Sequence, residues 1–537
     1  NAISLSAAFY ANVAAQYIAD KIPGLASVMK GNSPLEKNQE LKNVLLHESP
    51  WLSEALEETS NIDKLADLFD KSKMNARRQK AEDKLRNLQN SDGSWSWFEG
   101  MEGNIHITTT VVEHIAELEK ITGEKSVMHD AMLKGLEWVD KEEVKKYERI
   151  KNNKNFTNIP SESTLRYLYI SSLVERDVDS AVVSMRNAYL HMMAQMVGGL
   201  TIYGRANIAC ALSVFGMRNV AEEFVKSLRE YTVYKPEMGR YYDTDKAQYT
   251  WCDYRMPSHL AAMKAMRQQE KYFGDTQDYL NDMTLWIIQQ KRTQAWGNPI
   301  NTVGAVNGLF ASGRFNAESE ALPLFLLDDS KRVDMIEDIG NVGRAKAVID
   351  EENYDGLTNV RTLQIKQGNQ KDEKLKASKP KWGAVYGECL EEINNIVKAS
   401  TMAIEIDRKF YVECNSVFVE LDEGDVLKVG DKVCIRYVLN TDRDMDFVQV
   451  RAQHPACFEP TIQYSGYCWL EGSGAYVALY DASCDYFFDE IRKGTITFDQ
   501  YMYVSRSGVY ATGIATAQCA YSPEFSARTV SNKIVVE

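Results

Sequence analysis

The feature that most constrains the fold is a short aromatic turn between two helical stretches, in residues 88–118. It opens on Asn90-Ser91-Asp92-Gly93, residue types that tolerate a positive φ or hydrogen-bond to their own backbone. Trp95 follows this turn directly. The second stretch has apolar residues at helical spacing, namely Val111, Val112, Ile115 and Leu118. The sequence therefore predicts a helix, a tight turn plugged by a large ring, and another helix.

Two later segments repeat this turn in decayed form. The first copy has the spacing Gln89-xxx-Gly93-x-Trp95, residues 238–266 contain a similar turn, and residues 290–310 begin with Gln290-xxx-Gln294-x-Trp296. Repeated units joined by short turns are typical of helical hairpins stacked side by side. We expect the signature residues to lock each turn to its neighbouring helices. These residues are Gln89, Asp92, Gly93, Trp95, Trp251 and Trp296.

Three regions follow one another along the 537 residues, which are too many for one hydrophobic core. Helical stripes separated by polar turns run to about residue 315. Residues 316–398 mix short β-type runs with an amphipathic pattern over 382–396 that predicts a linking helix. From residue 399 onward, alternating strands with glycine turns predict an antiparallel β-sandwich. We therefore expect a multidomain α and β protein.

Charge and hydropathy narrow the range of possible functions of this chain. A net charge of −14 without a basic stripe argues against nucleic-acid binding. No apolar run approaches the roughly 18 residues that a membrane helix needs. The chain has no initial Met and no export signal at its start, so we expect it to be a fragment of a longer protein.

Cysteine usage leaves the disulfide pairing open. The nine cysteines are an odd number, and six of them lie in the last quarter of the chain. Sequence alone cannot choose among the possible pairings of those six. None has Cys-x-x-Cys spacing, so a structural zinc site is not expected.

The spacing of the candidate catalytic and metal-ligating residues indicates structural roles for them. Cys252, Asp253 and His259 are metal-ligating residue types, but Cys252 and Asp253 are adjacent and point in different directions, so packing is favoured. His106 and His114 lie about two helical turns apart without a carboxylate or thiol at fixed spacing, which favours a polar surface. The helical part has no Asp-Asp-x-x-Asp motif for magnesium. We expect no catalytic residue, no cofactor and no metal.

Short motifs along most of the chain carry a family resemblance. In the helical part they are Phe9-Tyr10-Ala11-Asn12, Asp92-Gly93-Ser94-Trp95 and Trp296-Gly297-Asn298-Pro299. In the tail they include Cys457-Phe458-Glu459-Pro460 and Phe487-Phe488-Asp489. With these motifs the chain resembles the C-terminal part of bacterial alpha-2-macroglobulin-like proteins, most of all the Bacteroidetes-type members.

The resemblance implies an identity for each region. Residues 1–315 would be the thioester-type domain, an α/α toroid of helical hairpins, and residues 316–398 the small β domain that hugs it. Residues 399–537 would be the terminal macroglobulin domain, a receptor-binding-like sandwich. The implied function is broad-spectrum endopeptidase inhibition, in which a protease cleaves an upstream bait segment and is trapped. This implies target proteases as partners, a periplasmic or cell-envelope location, and no enzymatic activity.

The chain departs from this family at the thioester. In thioester-bearing members a Cys-x-Glu-Gln motif precedes the first toroid helix, and the Cys–Gln thioester acylates a lysine of the protease. No Cys-x-Glu-Gln occurs in this chain. Aligned without gaps, Asn1 takes the Cys position and Ser4 the Gln position, which implies a vestigial site. In the other register the motif lies upstream of Asn1. In either case this chain cannot form the thioester itself.

Two other functions stay open at this stage. One is a toroid enzyme, such as a polysaccharide lyase or a cyclase, with an accessory sandwich. A deep cavity lined by convergent His, Tyr and Asp residues would favour it, and a plugged centre would argue against it. The other is an adhesive or scaffolding surface protein. The bait sequence, the protease targets and the oligomeric state cannot be inferred from the sequence.

Overall fold

The computed structural model describes residues 1–21, 51, 71–152, 159–196, 198–248, 254–293, 296, 298–311, 324–328, 331–333, 337–338, 345–346, 349–350, 362–366, 390–422, 424–470, 472–520 and 522–537. The chain divides into two compact units. The helical unit contains Asn1–Pro34, Thr59–Ile288 and Trp296–Pro380. The sandwich unit contains Leu35–Glu58, Gln289–Ala295 and Lys381–Glu537.

The described residues contain eleven α-helices, several of which begin at a polar cap. The side chains of Asn104, Ser161 and Thr201 each accept a hydrogen bond from a backbone N–H of the following first turn. Such caps satisfy amide groups that have no partner within the helix. The helices are α1 (Ala2–Lys21), α2 (Lys71–Asn87), α3 (Ile105–Thr122), α4 (His129–Lys151), α5 (Glu162–Leu173), α6 (Ser180–Ala194), α7 (Ile202–Val214), α8 (Arg218–Glu230), α9 (Arg255–Gln268), α10 (Thr276–Thr293) and α11 (Pro299–Ala311).

The helical unit contains helices of two burial types. In α7 every residue from Arg205 to Leu212 is buried, so this helix is covered on all sides. In α8, by contrast, the buried residues form one stripe made of Ala221, Phe224, Val225 and Leu228. A helix that is buried all round belongs to the interior, whereas a single stripe is typical of an outer helix.

The odd-numbered helices pack against one another in sequence order. Contacts link α1 to α3, α3 to α5, α5 to α7, α7 to α9 and α9 to α11, and α11 packs back against α1. Helix α2 packs on α1, α4 on α3, α6 on α4, and α8 on α7. The odd-numbered helices therefore form a closed circuit of contacts, and α2, α4 and α8 each pack against one of them.

Short strands accompany these helices. Strands β1 (Thr232–Lys235) and β2 (Gly239–Tyr242) form an antiparallel hairpin between α8 and α9. The two β-type runs predicted in the middle region are strands β3 (Leu324–Leu327) and β7 (Leu363–Lys366), which pair antiparallel. The remaining short strands are β4 (Lys331–Arg332), which pairs with β3, and β5 (Glu337–Asp338), which pairs with β6 (Ala345–Lys346).

The linking helix predicted over 382–396 is not present in the part of that segment that is described. Residues 390–396 contain only a 3₁₀ turn at Ile393–Asn395, and residues 382–389 lie outside the described residues. Leu390, one of the apolar positions of the predicted stripe, is fully exposed. An amphipathic helix is stabilised mainly by burial of its apolar face, and Leu390 contributes nothing to such burial.

The sandwich unit contains two large antiparallel sheets and one small sheet. The strand order is β10-β9-β12-β18-β14 in the five-stranded sheet and β15-β16-β17-β13-β20-β21-β8 in the seven-stranded sheet. The small sheet has the order β11-β22-β19. The strands are β8 (Ala399–Ser400), β9 (Ile404–Cys414), β10 (Val417–Glu420), β11 (Val426–Leu427), β12 (Lys432–Thr441), β13 (Met445–Gln453), β14 (Phe458–Pro460), β15 (Gly466–Leu470), β16 (Ser473–Leu479), β17 (Ser483–Ile491), β18 (Gly494–Val504), β19 (Gly508–Ala511), β20 (Ala515–Cys519), β21 (Ser522–Arg528) and β22 (Lys533–Val536).

Alternating side chains build the core of this unit. Val433, Ile435, Tyr437 and Leu439 of β12 are all buried, which matches the two-residue period predicted for this strand. The ring of Tyr437 stacks on Phe498 of β18, and its hydroxyl donates to the Gln500 side chain at 3.1 Å. Among the described residues, six cysteines are free thiols and Cys519 Sγ donates to the Asp446 carbonyl at 3.3 Å; the six are Cys210, Cys414, Cys434, Cys457, Cys468 and Cys484.

Trp51 belongs to the sandwich unit, although the sequence analysis placed it in the helical region. Its indole is 5% exposed, and Nε1 donates to Asp489 Oδ1 at 2.7 Å. Phe447 and Phe487 contact the indole edge-on, with ring centroids at 5.3 and 5.2 Å. A local helical pattern could not reveal this contact, because the partner rings follow more than 390 residues later.

Candidate functional site

The 89–95 turn is closed by side-chain hydrogen bonds. Gln89 Nε2 donates to the Gly93 carbonyl at 2.9 Å and to the Ala131 carbonyl of α4 at 2.8 Å. Asp92 Oδ1 accepts from the backbone N–H of Ser94 at 3.0 Å and from its hydroxyl at 2.6 Å. These hydrogen bonds lower the pKa of the Asp92 carboxyl. One glutamine amide thus closes the turn and fastens it to the next helix.

Trp95 connects three helices. Its side chain is completely buried, and Nε1 donates to the Leu85 carbonyl of α2 at 2.9 Å. Its backbone N–H donates to Thr108 Oγ1 of α3 at 2.8 Å. The ring also lies on α4, where a Cβ built on Gly135 would come within 2.4 Å of Trp95 Cζ3. Trp95 therefore packs against α2, α3 and α4.

Gly93 and Gly239 occupy equivalent positions in two turns. Gly93 has φ +95° and would place a Cβ 2.5 Å from the Lys134 carbonyl oxygen of α4. Gly239 has φ +73° and would place a Cβ 2.1 Å from the Asp282 carbonyl oxygen of α10. In both turns a glycine is needed for the backbone conformation and for close contact with the next outer helix.

The ring that follows each glycine also has the same role. The Tyr242 hydroxyl donates to the Leu228 carbonyl at 3.1 Å, as the Trp95 indole does to Leu85. Leu85 and Leu228 both lie in the last turn of the preceding helix. The second turn thus uses Tyr242 where the first uses Trp95. Trp251 lies outside the described residues, and Trp296 is half-buried against the helical core.

Asn1 and Ser4 lie next to each other at the start of α1. Asn1 Oδ1 accepts a hydrogen bond from the Ser4 backbone N–H at 2.8 Å, which caps the helix. Both side chains are exposed. Residues at positions 1 and 4 are therefore close enough to interact, and here they form a helix cap.

A charged network fills the space between the odd-numbered helices. Arg166 Nε donates to Glu113 Oε2 at 2.7 Å, and Lys264 Nζ lies 2.6 Å from Glu117 Oε1. Lys264 is also 3.7 Å from Glu113, and the Tyr169 hydroxyl donates to Glu117. Two carboxylates thus face two cations. The network is electrically balanced within itself.

Burial and mutual attraction set the protonation states of this network. Burial alone would raise the pKa of Glu113, but the Arg166 and Lys264 charges outweigh it and lower this pKa to about 2. Burial opposes the charged form of Lys264, yet Glu117 and Glu113 raise the pKa of this ammonium group. Glu113, Arg166 and Lys264 are therefore ionised at neutral pH, which their pairing permits.

His114 joins α3 to α1 beside this network. Its side chain is buried, and burial lowers its pKa to about 4, so the imidazole is neutral at pH 7. Nδ1 lies 2.9 Å from Ser6 Oγ, and the Ser6 hydroxyl donates to the Ile3 carbonyl at 2.9 Å. Since Ser6 has one proton to donate, His114 Nδ1 carries the hydrogen and donates to Ser6. The surface role predicted for His114 is therefore wrong, whereas His106 is exposed.

The cavity beside the network is small. It has a volume of about 60 Å³, which is the space of about two water molecules. Its lining includes His106, Arg166, Tyr203, Asn207, Tyr254 and Lys264. These groups could order water, but the volume does not admit a sugar or a prenyl chain.

Metal ligation has no support in the described part of the chain. No group of three or more His, Cys, Asp and Glu side chains is placed there to hold an ion. His259 is buried, and its Nε2 lies 3.0 Å from the Met283 carbonyl, to which it donates. Cys252 and Asp253 lie outside the described residues.

Within the described residues, none of the helices combines the length and hydropathy that a bilayer crossing requires.

The charged network on α3, α5 and α9 was not predicted from the sequence. Glu113 and Glu117 are four residues apart in α3, between the apolar positions of its stripe. Charged residues at such spacing within a largely apolar helix are a sign of buried pairing. Their partners Arg166 and Lys264 lie on α5 and α9, and no sequence pattern links those helices to α3.

The sandwich matches a known domain family. A family model described as the bacterial alpha-2-macroglobulin MG10 domain matches residues 404–524. This range runs from the first residue of β9 into β21 and includes most of both large sheets. A comparison with curated proteins gives no match.

Solved structures of two bacterial proteins are also similar to the chain. Trypsin-activated alpha-2-macroglobulin of Escherichia coli is 13% identical, with 87% of this chain and 30% of that chain covered and a TM-score of 0.42. Salmonella alpha-2-macroglobulin reacted with methylamine is 12% identical, with 87% and 28% covered and a TM-score of 0.31. The chain thus spans less than a third of the length of these two proteins.

Proposed function

We propose that this chain, whose residues 404–524 match the bacterial alpha-2-macroglobulin MG10 domain, belongs to that family and is the C-terminal portion of an endopeptidase inhibitor that traps proteases after bait cleavage. The single observation that carries this proposal is the family match over residues 404–524. The Escherichia coli relative was solved in a trypsin-activated form. The partners would be target proteases, and the setting the periplasm or cell envelope.

The helical unit would be the thioester-type domain, an α/α toroid. The closed circuit of odd-numbered helices, with α2, α4 and α8 packed against it, supports this arrangement. The repeated turn at Gly93 and Gly239 supports it too, because each glycine fits against the next outer helix in the same way. Residues 1–315, 316–398 and 399–537 would then be toroid, small β domain and terminal macroglobulin domain.

Trapping by this chain would be steric and not covalent. The sequence contains no Cys-x-Glu-Gln, and at the aligned positions Asn1 and Ser4 form an amide helix cap. We interpret these two residues as a vestigial thioester position. An asparagine amide next to a serine N–H offers neither a thiol nor an activated acyl group, so no protease lysine can be acylated there.

The balanced network argues against the enzyme alternative. A toroid lyase or cyclase needs free acids and bases facing a cavity large enough for its substrate. Here Glu113, Glu117, Arg166 and Lys264 pair with one another beside a cavity of about 60 Å³. The ionised groups that could act as catalysts are instead used to hold α3, α5 and α9 together.

Size-selective inhibition tests the proposal. The full-length parent protein is incubated with trypsin, and residual activity is measured on a small peptide and on a large protein substrate. We expect peptide cleavage to persist while cleavage of the large protein is lost, because a trapped protease remains active behind a steric barrier. Equal cleavage of both substrates would refute a trypsin trap. Denaturing electrophoresis would show adducts of high mass if a thioester lies upstream of this chain.

A further inference from the structure

Among the strands that the structure describes, β15 forms an edge of the seven-stranded sheet. It lies at the end of the strand order and pairs with β16 on one side. Three large aromatic residues on and just before this strand are strongly exposed. Tyr464 is 83% exposed, Tyr467 72% and Trp469 75%. Such a concentration of exposed rings on one edge marks an interaction surface.

The rings of Tyr467 and Trp469 lie over neighbouring residues of β16. Trp469 lies opposite Gly474 of β16, and a Cβ built on this glycine would meet the indole at 3.7 Å, so the ring covers the glycine. Tyr467 lies opposite Tyr476, with the two rings edge-to-face at 5.1 Å between centroids. Tyr467 and Trp469 are two residues apart and so face the same side of the sheet.

This edge lacks the residues that normally prevent strand pairing. Residues 461–470 contain no charged side chain, in a chain of net charge −14. The other edges of the two large sheets are protected. Strand β14 contains Glu459 and Pro460, β10 carries Glu420 in an ion pair with Lys409 at 2.8 Å, and β8 has two residues. Charges, prolines and very short strands are the usual means of blocking an edge.

We propose that the β15 edge pairs with the β15 edge of a second copy of this chain. Two antiparallel copies related by a two-fold axis at Cys468 place Tyr467 opposite Trp469 of the second copy, and do so twice. Aromatic cross-strand pairs are among the more stabilising pairs in antiparallel sheets. The uncharged edge is also where two strongly acidic chains can approach with the least repulsion.

The area of this edge predicts a weak dimer. With about 200 Å² for each large ring, the three exposed rings offer roughly 450 Å² per copy and roughly 900 Å² in a symmetric pair. This area is at the lower end of specific interfaces, which is typical of reversible association. We therefore expect a monomer at low concentration and a dimer at high concentration.

Sedimentation equilibrium of the 537-residue chain tests this proposal. The average mass of the wild-type chain should rise with concentration from 60.9 kDa towards twice that value. Tyr467→Lys and Trp469→Lys should each weaken association roughly tenfold or more, because each places two charges in the pair. Tyr503→Lys is the matched control, since Tyr503 is 49% exposed but lies on the interior strand β18.

Circular dichroism first establishes that each variant has the wild-type fold, which such exposed positions should permit. A wild-type chain that stays monomeric over the whole concentration range would overturn the proposal and leave the edge to a strand of another protein. Association that is equal in the wild type, the two edge variants and the control would also overturn it. Loss of association in the edge variants alone would support it.

Discussion

Replacement of Gly93 by alanine tests the account of the turn most sharply. The residue has φ +95°, and a Cβ would lie 2.5 Å from the Lys134 carbonyl oxygen and 2.9 Å from its carbonyl carbon. The backbone conformation costs a non-glycine residue about 1–2 kcal/mol. Overlap with a helix backbone, which cannot rotate away as a side chain can, adds about 1–3 kcal/mol. Gly93→Ala should therefore lower the free energy of unfolding by about 2–5 kcal/mol.

Gly123→Ala provides the matched control. Gly123 has φ +72° at the end of α3, but a Cβ there would meet nothing within 4 Å. Its cost should be limited to the conformational part, about 1–2 kcal/mol. Urea unfolding followed by circular dichroism at the helical band measures both variants. Equal losses for Gly93→Ala and Gly123→Ala would refute the idea that the turn is held against α4 by close contact.

Three further predictions concern the charged network, His114 and Trp51. Arg166→Met leaves Glu113 without its main partner and should lower the free energy of unfolding in urea by about 3–5 kcal/mol. The double variant, which also carries Glu113→Gln, should lose less stability. Equal losses in the single and the double variant would contradict the pairing. Burial lowers the pKa of His114 in the folded protein to about 4, below its ordinary value of 6.5. The stability that the neutral imidazole contributes is therefore complete above pH 6.5, and about 3 kcal/mol of it is lost as the pH falls towards 4. His114→Gln should show a shallower fall of the urea midpoint over this pH range, and an unchanged slope would refute the assignment. Trp51→Ala should destabilise the sandwich unit by about 3–5 kcal/mol, as measured by thermal unfolding, whereas Trp97→Ala, at a residue 41% exposed, should change little.

Local patterns predicted the elements whose causes are local. The turn at Asp92-Gly93 follows from residue types that accept its backbone geometry, and the strands of the tail follow from a two-residue alternation such as that of β12. In both cases the residues that determine the structure are close in sequence. The packing function of Gln89, Gly93 and Trp95 stays a prediction, which their contacts with α4 support.

Contacts between distant elements could not be predicted in the same way. Trp51 was assigned to the helices beside it in sequence, yet it packs on Phe447 and Phe487. His114 looked like a surface residue because its partner Ser6 lies 108 positions earlier. Residues 390–396 had a helical pattern, but Leu390 is fully exposed and these residues contain only a 3₁₀ turn, so the pattern alone was misleading.

We propose that the parent protein is a protease trap that cleavage of its bait segment triggers once. The most direct measurement is a titration of trypsin with the parent protein, read on a large protein substrate, before and after the parent has been cleaved and the first protease inactivated. The account predicts stoichiometric protection by the intact parent and none by the cleaved parent, since the bait segment that triggers trapping has already been cut. Undiminished protection by the cleaved parent, or no protection by the intact one, would contradict the account.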